Sequence, residues 1–430
     1  MRALPLLFTI VAAMTAPCAS AEDADAARVV AEARRAIATR YVLPDVAARL
    51  DAALAAGAKA GRYRGLAGEA LATRVNADMA AVTPDKHLGL SYNPQLSTML
   101  AGAPLTDAAD DTPPPGMGRM MVRMNGGVRA MEVLPGNIRY LAYDGFAWGT
   151  PEVEAALRTG MAFLKEGDAY IIDMSRNGGG SPAAVAAMTS YFVPEGTPLM
   201  RFEMRGKTPD ETRAPGAPFS LAGKPLFVVT GGGSASAAEE FATHVKALGF
   251  GTLVGETTAG AGFRNDLLPL PGGYVLSVST GRAVSLKTGR DWERVGVAPD
   301  VATSSDAALP RAKQEAMAAV LAAAPADEKA EDGRLLAYYR ALATPVALAR
   351  PAAAYAGRFG DRTVTATADV VTMQRDGRSP TPLVPTGPDA FVMRNDPMVA
   401  VRFVGDAAGV SAVEVEQRDG SVSKAARVKS

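Results

Sequence analysis

Two glycine-rich turns, two histidines and four glutamates hold most of what could do chemistry in this 430-residue chain. Leu226-Phe227-Val228-Val229-Thr230, followed by Gly231-Gly232-Gly233-Ser234-Ala235-Ser236-Ala237-Ala238-Glu239-Glu240, reads as a buried strand, a tight turn and the start of a helix. Such a turn exposes a hydroxyl where backbone N–H groups of the helix N-terminus point at developing negative charge, which suits a nucleophilic serine. Ser234 and Ser236 also fit the plainer role of helix cap. A second strand-to-turn transition, from Ile171 to Ser181, carries Gly178-Gly179-Gly180 before a helix. Glycine takes positive φ and lets backbone approach a ligand closely, so this loop can supply one oxyanion-hole N–H while Ala237 supplies another. An ordinary βα loop has the same composition.

A serine nucleophile needs a base, and the chain has two histidines. His244 follows Ser236 on the same predicted helix, about 12 Å along the axis at ~1.5 Å per residue, and is out of reach. His87 stands in Thr83-Pro84-Asp85-Lys86-His87-Leu88-Gly89-Leu90, at a turn into a predicted strand; it is the remaining candidate base, although a lone histidine is also a common surface residue. Glu239 and Glu240 fall in the first helical turn, where the macrodipole favours negative charge. Glu256 and Glu293 lie in loops and read locally as solvated charges. No second histidine or paired carboxylate sits at ligand spacing, so no metal and no cofactor is expected.

The elements that must position these groups follow from composition and periodicity. Met1-Arg2, an apolar run from Ala3 to about Ala16, and Ala19-Ser20-Ala21 before Glu22-Asp23 read as a secretory signal peptide, residues 1–21. A soluble periplasmic or secreted protein is expected, with no membrane span and, since Cys18 is the only cysteine, no thiol after processing. With 45 basic and 45 acidic residues there is no charge excess to hold nucleic acid. Residues 22–100 are predicted as a small helical bundle, with Val29, Val30, Ala33, Ile37 and Tyr41 at helical spacing, and the proline-rich 101–118 as a linker. Residues 119–305 alternate short apolar runs with helical patterns, which implies an α/β domain with a mainly parallel sheet. A helical connector, 306–350, and a C-terminal β-rich domain, 351–430, with turns at Asp376-Gly377 and Asp419-Gly420, complete the reading.

Taken together, Asp85-Lys86-His87-Leu88, Asp173 to Gly180, Ser234 to Glu240, Gly255-Glu256-Thr257-Thr258 and Gly296-Val297-Ala298-Pro299-Asp300 resemble the motifs of the C-terminal processing (tail-specific) serine peptidases. The chain is most similar to their branch with the tricorn protease core and the repeats of interphotoreceptor retinoid-binding protein. The resemblance covers about residues 25 to 305. It implies a crotonase/ClpP-like α/β catalytic domain, preceded by the helical bundle and followed by a small antiparallel β domain. It further implies an exported serine peptidase acting on a peptide or protein substrate. Carried over by position, Ser236 is the nucleophile, His87 the base, Glu293 the carboxylate that orients the imidazole, and Gly179 and Ala237 the oxyanion donors. The chain departs from the pattern twice. Ala261 stands where the tail-specific branch has a lysine base, which favours His87, and Lys86 stands where the tricorn-like site has a second serine. No segment resembles a PDZ domain. Oligomeric state and cleavage specificity are not implied. The rival readings are a non-catalytic binding module for an apolar ligand on the same fold and an acyl-thioester enzyme of crotonase type.

Overall fold

A computed structural model of the chain describes residues 21–102, 116–407 and 409–428. The first 20 residues of the predicted signal peptide, with Cys18, and most of the predicted linker lie outside the described residues. The helices are α1 (Ala21–Arg40), α2 (Pro44–Lys59), α3 (Gly68–Ala80), α4 (Pro94–Ala101), α5 (Met117–Arg123), α6 (Pro151–Leu164), α7 (Pro182–Thr189), α8 (Ala237–Leu248), α9 (Ser305–Ala323) and α10 (Lys329–Ala343). Four of them open on proline, whose fixed φ and missing N–H suit the first helical position. Asn93, Thr150 and Ser181 cap three of these through their side-chain oxygens. The strands before the C-terminal sheet are β1 (Gly89–Tyr92), β2 (Val128–Leu134), β3 (Ile138–Tyr143), β4 (Ala169–Asp173), β5 (Pro198–Met204), β6 (Asp210–Arg213), β7 (Leu226–Thr230), β8 (Thr252–Gly255), β9 (Phe263–Leu270), β10 (Tyr274–Ser285) and β11 (Val301–Ala302). Among the described residues no helix is long and apolar enough to cross a membrane.

The described residues divide into two compact units: one holds residues 21–102 and Asn265–Thr280, the other residues 116–264 and those from Gly281 onward that are described. In the first unit, α1 buries Val29, Val30, Ala33 and Ile37, and α2 buries Ala47, Leu50 and Leu54, the stripes expected of two amphipathic helices packed face to face. Strand β1 pairs antiparallel with Tyr274–Ser277, and on its other side the Asn76 carboxamide bonds both the N–H and the carbonyl of Leu90, at 2.7 and 2.8 Å. Residues 265–280, grouped with the α/β segment by sequence, thus fold with the helices, because β1 has its strand partner there.

In the second unit, strands run in the order β11-β8-β7-β4-β3-β2, all neighbours parallel except the edge strand β2. Alternate residues face alternate sides. Tyr170, Ile172 and Val228 join Leu157, Met161, Val185 and Phe241 of α6, α7 and α8, while Ile171, Phe227 and Val229 join Ala308, Ala312 and Ala316 of α9. This two-sided burial is why the strands read as continuous apolar runs. The predicted connector is therefore a covering layer of the sheet: small side chains at every fourth position bring α9 close to it. Ala312 is fully buried. Ala312→Leu should lower stability by about 1–3 kcal/mol through overpacking, read as a shifted midpoint in urea unfolding.

The C-terminal residues form β12 (Gly357–Phe359), β13 (Arg362–Thr367), β14 (Val370–Arg375), β15 (Thr381–Gly387), β16 (Ala390–Met393), β17 (Asp396–Asp406), β18 (Gly409–Glu416) and β19 (Val422–Ala426). They pair consecutively as an eight-stranded antiparallel sheet. A bridge between Phe359 and Arg427 and a 2.8 Å bond from Val428 N–H to the Arg358 carbonyl bring the chain after β19 to β12, giving a nearly closed, barrel-like sheet with little exposed edge. Tyr355, Phe359, Phe391 and Phe403 fill it, with ring centroids 5.0–6.0 Å apart.

Candidate active site

Strand β7 delivers the chain into the turn Gly231–Ser236, and helix α8 leaves it. The two serines of this turn separate cleanly. Ser234 is fully buried, donates from Oγ to the Met174 carbonyl at 2.7 Å and accepts from the Gly231 N–H at 3.1 Å, so it fastens the turn to the end of β4. Ser236 is only partly buried and sits at φ 54°, ψ −119°. An ordinary N-cap serine is extended, with negative φ. The conformation of Ser236 is one that residues with a Cβ adopt at a cost of about 1–3 kcal/mol, and only where the surroundings enforce it. A sharp strand-to-helix turn of this kind lifts a hydroxyl out of the sheet.

The enforcing groups are identifiable. Glu239, fully buried, accepts from the Ser236 N–H at 2.9 Å, from the Ala261 N–H at 2.8 Å, from the Gly260 N–H at 2.6 Å and from Thr258 Oγ1 at 2.6 Å. Its carboxylate ties the elbow to the loop that follows β8. Thr258 Oγ1 in turn accepts from the Val297 N–H at 2.7 Å. The other neighbour is the glycine loop after β4. A Cβ added at Gly179, where φ is 106°, would lie 2.7 Å from the Ser236 Cβ, 2.9 Å from the Ala235 carbonyl oxygen and 3.0 Å from the Ala237 nitrogen. Only glycine lets this backbone lie against the elbow. The loop is held by bonds from Ala235 N–H to the Asn177 carbonyl at 3.0 Å and from Phe146 N–H to the Gly179 carbonyl at 2.8 Å, with the Asn177 Nδ2 donating to the Tyr143 carbonyl at 2.8 Å. Just upstream, Asp173 accepts from the Ser175 N–H and Oγ and from the Tyr140 hydroxyl at 2.9 Å. Burial, and then the charge of Asp173, push the Tyr140 hydroxyl up to about 12.

The two proposed oxyanion donors differ. Ala237 occupies the first position of α8, where the N–H has no intrahelical acceptor, and none among the described residues bonds it. The Gly179 N–H donates to Asn177 Oδ1 at 2.9 Å. It can therefore serve an oxyanion only by leaving or sharing that acceptor. The local sequence did not reveal this inward bond.

Glu293 is not the solvated loop charge that its local sequence suggests. Its side chain is 8% exposed and Oε2 accepts from the Gly262 N–H at 2.8 Å. A Cβ at Gly262 would come within 2.6 Å of the Glu293 nitrogen, so the two segments touch backbone to backbone. Trp292 Nε1 donates to the Ala261 carbonyl at 3.1 Å and Arg294 N–H to the Gly260 carbonyl at 2.9 Å. One loop, Thr258–Gly262, thus holds both Glu239 and Glu293. Glu256 has a structural role: it accepts from Ser305 N–H at 3.1 Å and Ser305 Oγ at 2.7 Å, capping α9. Glu240 and His244 form a buried pair on α8, with His244 Nε2 3.7 Å from Glu240 Oε1. Ala261 is 4% exposed, its methyl enclosed at the position where the tail-specific branch carries lysine.

The second unit therefore assembles Ser236, Ala237, Gly179 and, through the Thr258–Gly262 loop, Glu293. His87 belongs to the first unit. There Asp85, buried, accepts from the His87 N–H at 2.8 Å and from Ser279 Oγ at 2.6 Å, and Ser277 Oγ donates to the His87 carbonyl. The turn carrying the imidazole is thereby pinned to β10. Sequence reasoning missed Glu239 as a positioning group. The signal was present in the spacing Ser236-x-x-Glu239, where an acid at the third helical position reaches back to the cap N–H.

Comparison with known proteins matches two family models to the chain: peptidase family S41 over residues 137–303, and the N-terminal domain of peptidase S41 in eukaryotic IRBP over residues 23–122. Among curated proteins, a carboxyl-terminal-processing protease of Synechocystis sp. is 30% identical over 133 residues, 31% of this chain. The match spans 30% of that relative's length. Among solved structures, the photosystem II D1 C-terminal processing protease is similar with a TM-score of 0.40 at 17% identity, covering 67% of this chain and 94% of that one. A lipoprotein from Streptococcus agalactiae is similar with a TM-score of 0.48 at 15% identity, covering 69% and 97%. The tricorn protease is similar with a TM-score of 0.41 at 14% identity, covering 74% and 37%.

Proposed function

Since the chain belongs to peptidase family S41, we propose that it is a serine peptidase that hydrolyses peptide bonds in a peptide or protein substrate. Ser236 Oγ attacks the scissile carbonyl carbon as His87 removes its proton. The carbonyl oxygen becomes an oxyanion, received by the Ala237 N–H and by the Gly179 N–H as it turns from Asn177. When the C–N bond breaks, His87 returns the proton to the leaving amine. Water, deprotonated by His87, then attacks the acyl-enzyme and releases Ser236. Glu293 orients the imidazole and stabilises it when protonated. Lys86 stands where the tricorn-like site has a second serine, so that position supplies no hydroxyl relay between His87 and Glu293. The crotonase-like arrangement of the catalytic domain and action outside the cytoplasm, after loss of residues 1–21, belong to the same reading.

The observation that supports it most is the backbone of Ser236, held at φ 54° and ψ −119° by a buried carboxylate and a glycine loop. A binding module for an apolar ligand has no use for that conformation. The test is cleavage of a defined peptide mixture by the purified protein, followed by mass spectrometry. His87→Gln, which keeps the size of the side chain but not its basicity, should lower kcat/KM by roughly 10³-fold or more with little change in KM. Unchanged turnover in that variant would remove His87 from the mechanism.

A further inference from the structure

The C-terminal sheet carries a feature that the hydrolytic site does not use. A cavity of about 710 Å³ opens between the β14–β15 turn and the β16–β17 turn. Four arginines line it, Arg362, Arg375, Arg378 and Arg394, with one acidic residue, Asp396. The local acids are already engaged. Asp361 accepts from Arg362 at 2.9 Å and from Arg375 at 2.7 Å, and Asp396 pairs with Arg418 at 3.0 Å. Arg378 and Arg394 have no carboxylate partner among the described residues.

Both of these arginines have fixed backbones. The Arg378 N–H donates to the Arg375 carbonyl at 2.9 Å, and the Arg394 N–H donates to the Pro382 carbonyl at 3.0 Å. The Arg394 carbonyl also accepts from the Tyr338 hydroxyl at 3.4 Å. Beneath them Met373, Val399 and Val415 form an apolar floor. The result is a cationic rim over an apolar base.

The size of the cavity selects the ligand. It holds the volume of about twenty water molecules and lies in the range of roughly 300–1,000 Å³ typical of organic ligands, far more than a single inorganic anion fills. Arginine forks match carboxylates in geometry as well as charge. A chain that alternates carboxylates with apolar side chains meets both the rim and the floor. We propose that this cavity binds an acidic peptide segment, with carboxylates on Arg378 and Arg394 and apolar side chains on the floor. The proposal does not rest on the hydrolytic reading, because it concerns binding alone.

The test is fluorescence anisotropy of a labelled hexapeptide alternating glutamate and leucine, titrated with the full chain, beside the same peptide with glutamine in place of glutamate. The acidic peptide should bind, more weakly as salt rises. Arg378→Gln with Arg394→Gln should weaken it by roughly ten-fold or more, and Arg378→Gln alone by less. Both variants change exposed turn residues, and circular dichroism checks that they fold. Equal binding of the two peptides, or unchanged affinity in the double variant, would overturn the proposal. So would absence of peptide binding together with capture of phosphatidylglycerol vesicles that the double variant loses, which would assign the cavity to a lipid headgroup.

Discussion

Ser236→Ala is expected to lower peptide turnover by roughly 10⁴- to 10⁶-fold while leaving the fold and KM nearly unchanged. The loss is large because, in the proposed mechanism, this hydroxyl forms the covalent bond to the substrate carbonyl. What remains is the modest acceleration that the oxyanion donors supply to attack by water. The fold survives because the Ser236 N–H is held by the Glu239 carboxylate, a bond that the alanine variant keeps. A companion substitution separates chemistry from strain. Ser236→Gly removes the same hydroxyl but permits φ 54° and ψ −119° without a Cβ clash. Relief of about 1–3 kcal/mol of strain outweighs the ~0.5–1 kcal/mol by which glycine favours the unfolded chain. The glycine variant should therefore be inactive yet about 1 kcal/mol more stable than Ser236→Ala in urea unfolding. Equal stability of the two would mean that the turn is not strained.

Glu239→Gln should be the most damaging conservative change in the second unit. Each carboxylate oxygen of Glu239 accepts two hydrogen bonds: Oε1 from Thr258 Oγ1 and the Gly260 N–H, Oε2 from the Ser236 and Ala261 N–H groups. A carboxamide presents its NH₂ to one of these pairs whichever way it is turned. The Thr258 hydroxyl can turn to accept, but the backbone N–H of Gly260 at one oxygen, or those of Ser236 and Ala261 at the other, cannot reverse. Buried donors are left facing donors, at a cost of about 3–5 kcal/mol. The same change frees the Thr258–Gly262 loop, which holds Glu293 through the Gly262 N–H. Turnover should fall by roughly 10²-fold or more even at temperatures where the variant is fully folded, since a nucleophile displaced by about 1 Å loses that much. Full activity in a folded Glu239→Gln protein would show that the carboxylate contributes stability only.

The parallel sheet was legible because Ile171-Ile172 and Leu226 to Val229 are buried on both faces and so cannot alternate with polar residues. The elbow was legible as well, since a strand, three glycines and a serine before a helix admit few conformations. What stayed hidden was long-range. Nothing near Glu293 announces that the Gly262 N–H, 31 residues earlier, bonds its carboxylate. Nothing near Gly179 announces that the Asn177 side chain takes its N–H. The α9 helix looked like a connector because a stripe of alanines carries little hydrophobic signal, although Ala308, Ala312 and Ala316 are the residues that let it lie on the sheet. Residues 265–280 gave no sign that their strand partner was β1, about 185 residues earlier, since register between distant strands is not written in either one alone.

The central claim is that Ser236 is an activated nucleophile, and labelling with a fluorophosphonate probe tests it most directly. Wild-type protein, Ser236→Ala and His87→Ala are each treated with the probe, digested and mapped by mass spectrometry. A single adduct is expected, on Ser236, absent from the Ser236→Ala variant and formed far more slowly when His87 is replaced. A well-folded wild-type protein that takes up no probe, or takes it up at another residue, would contradict it.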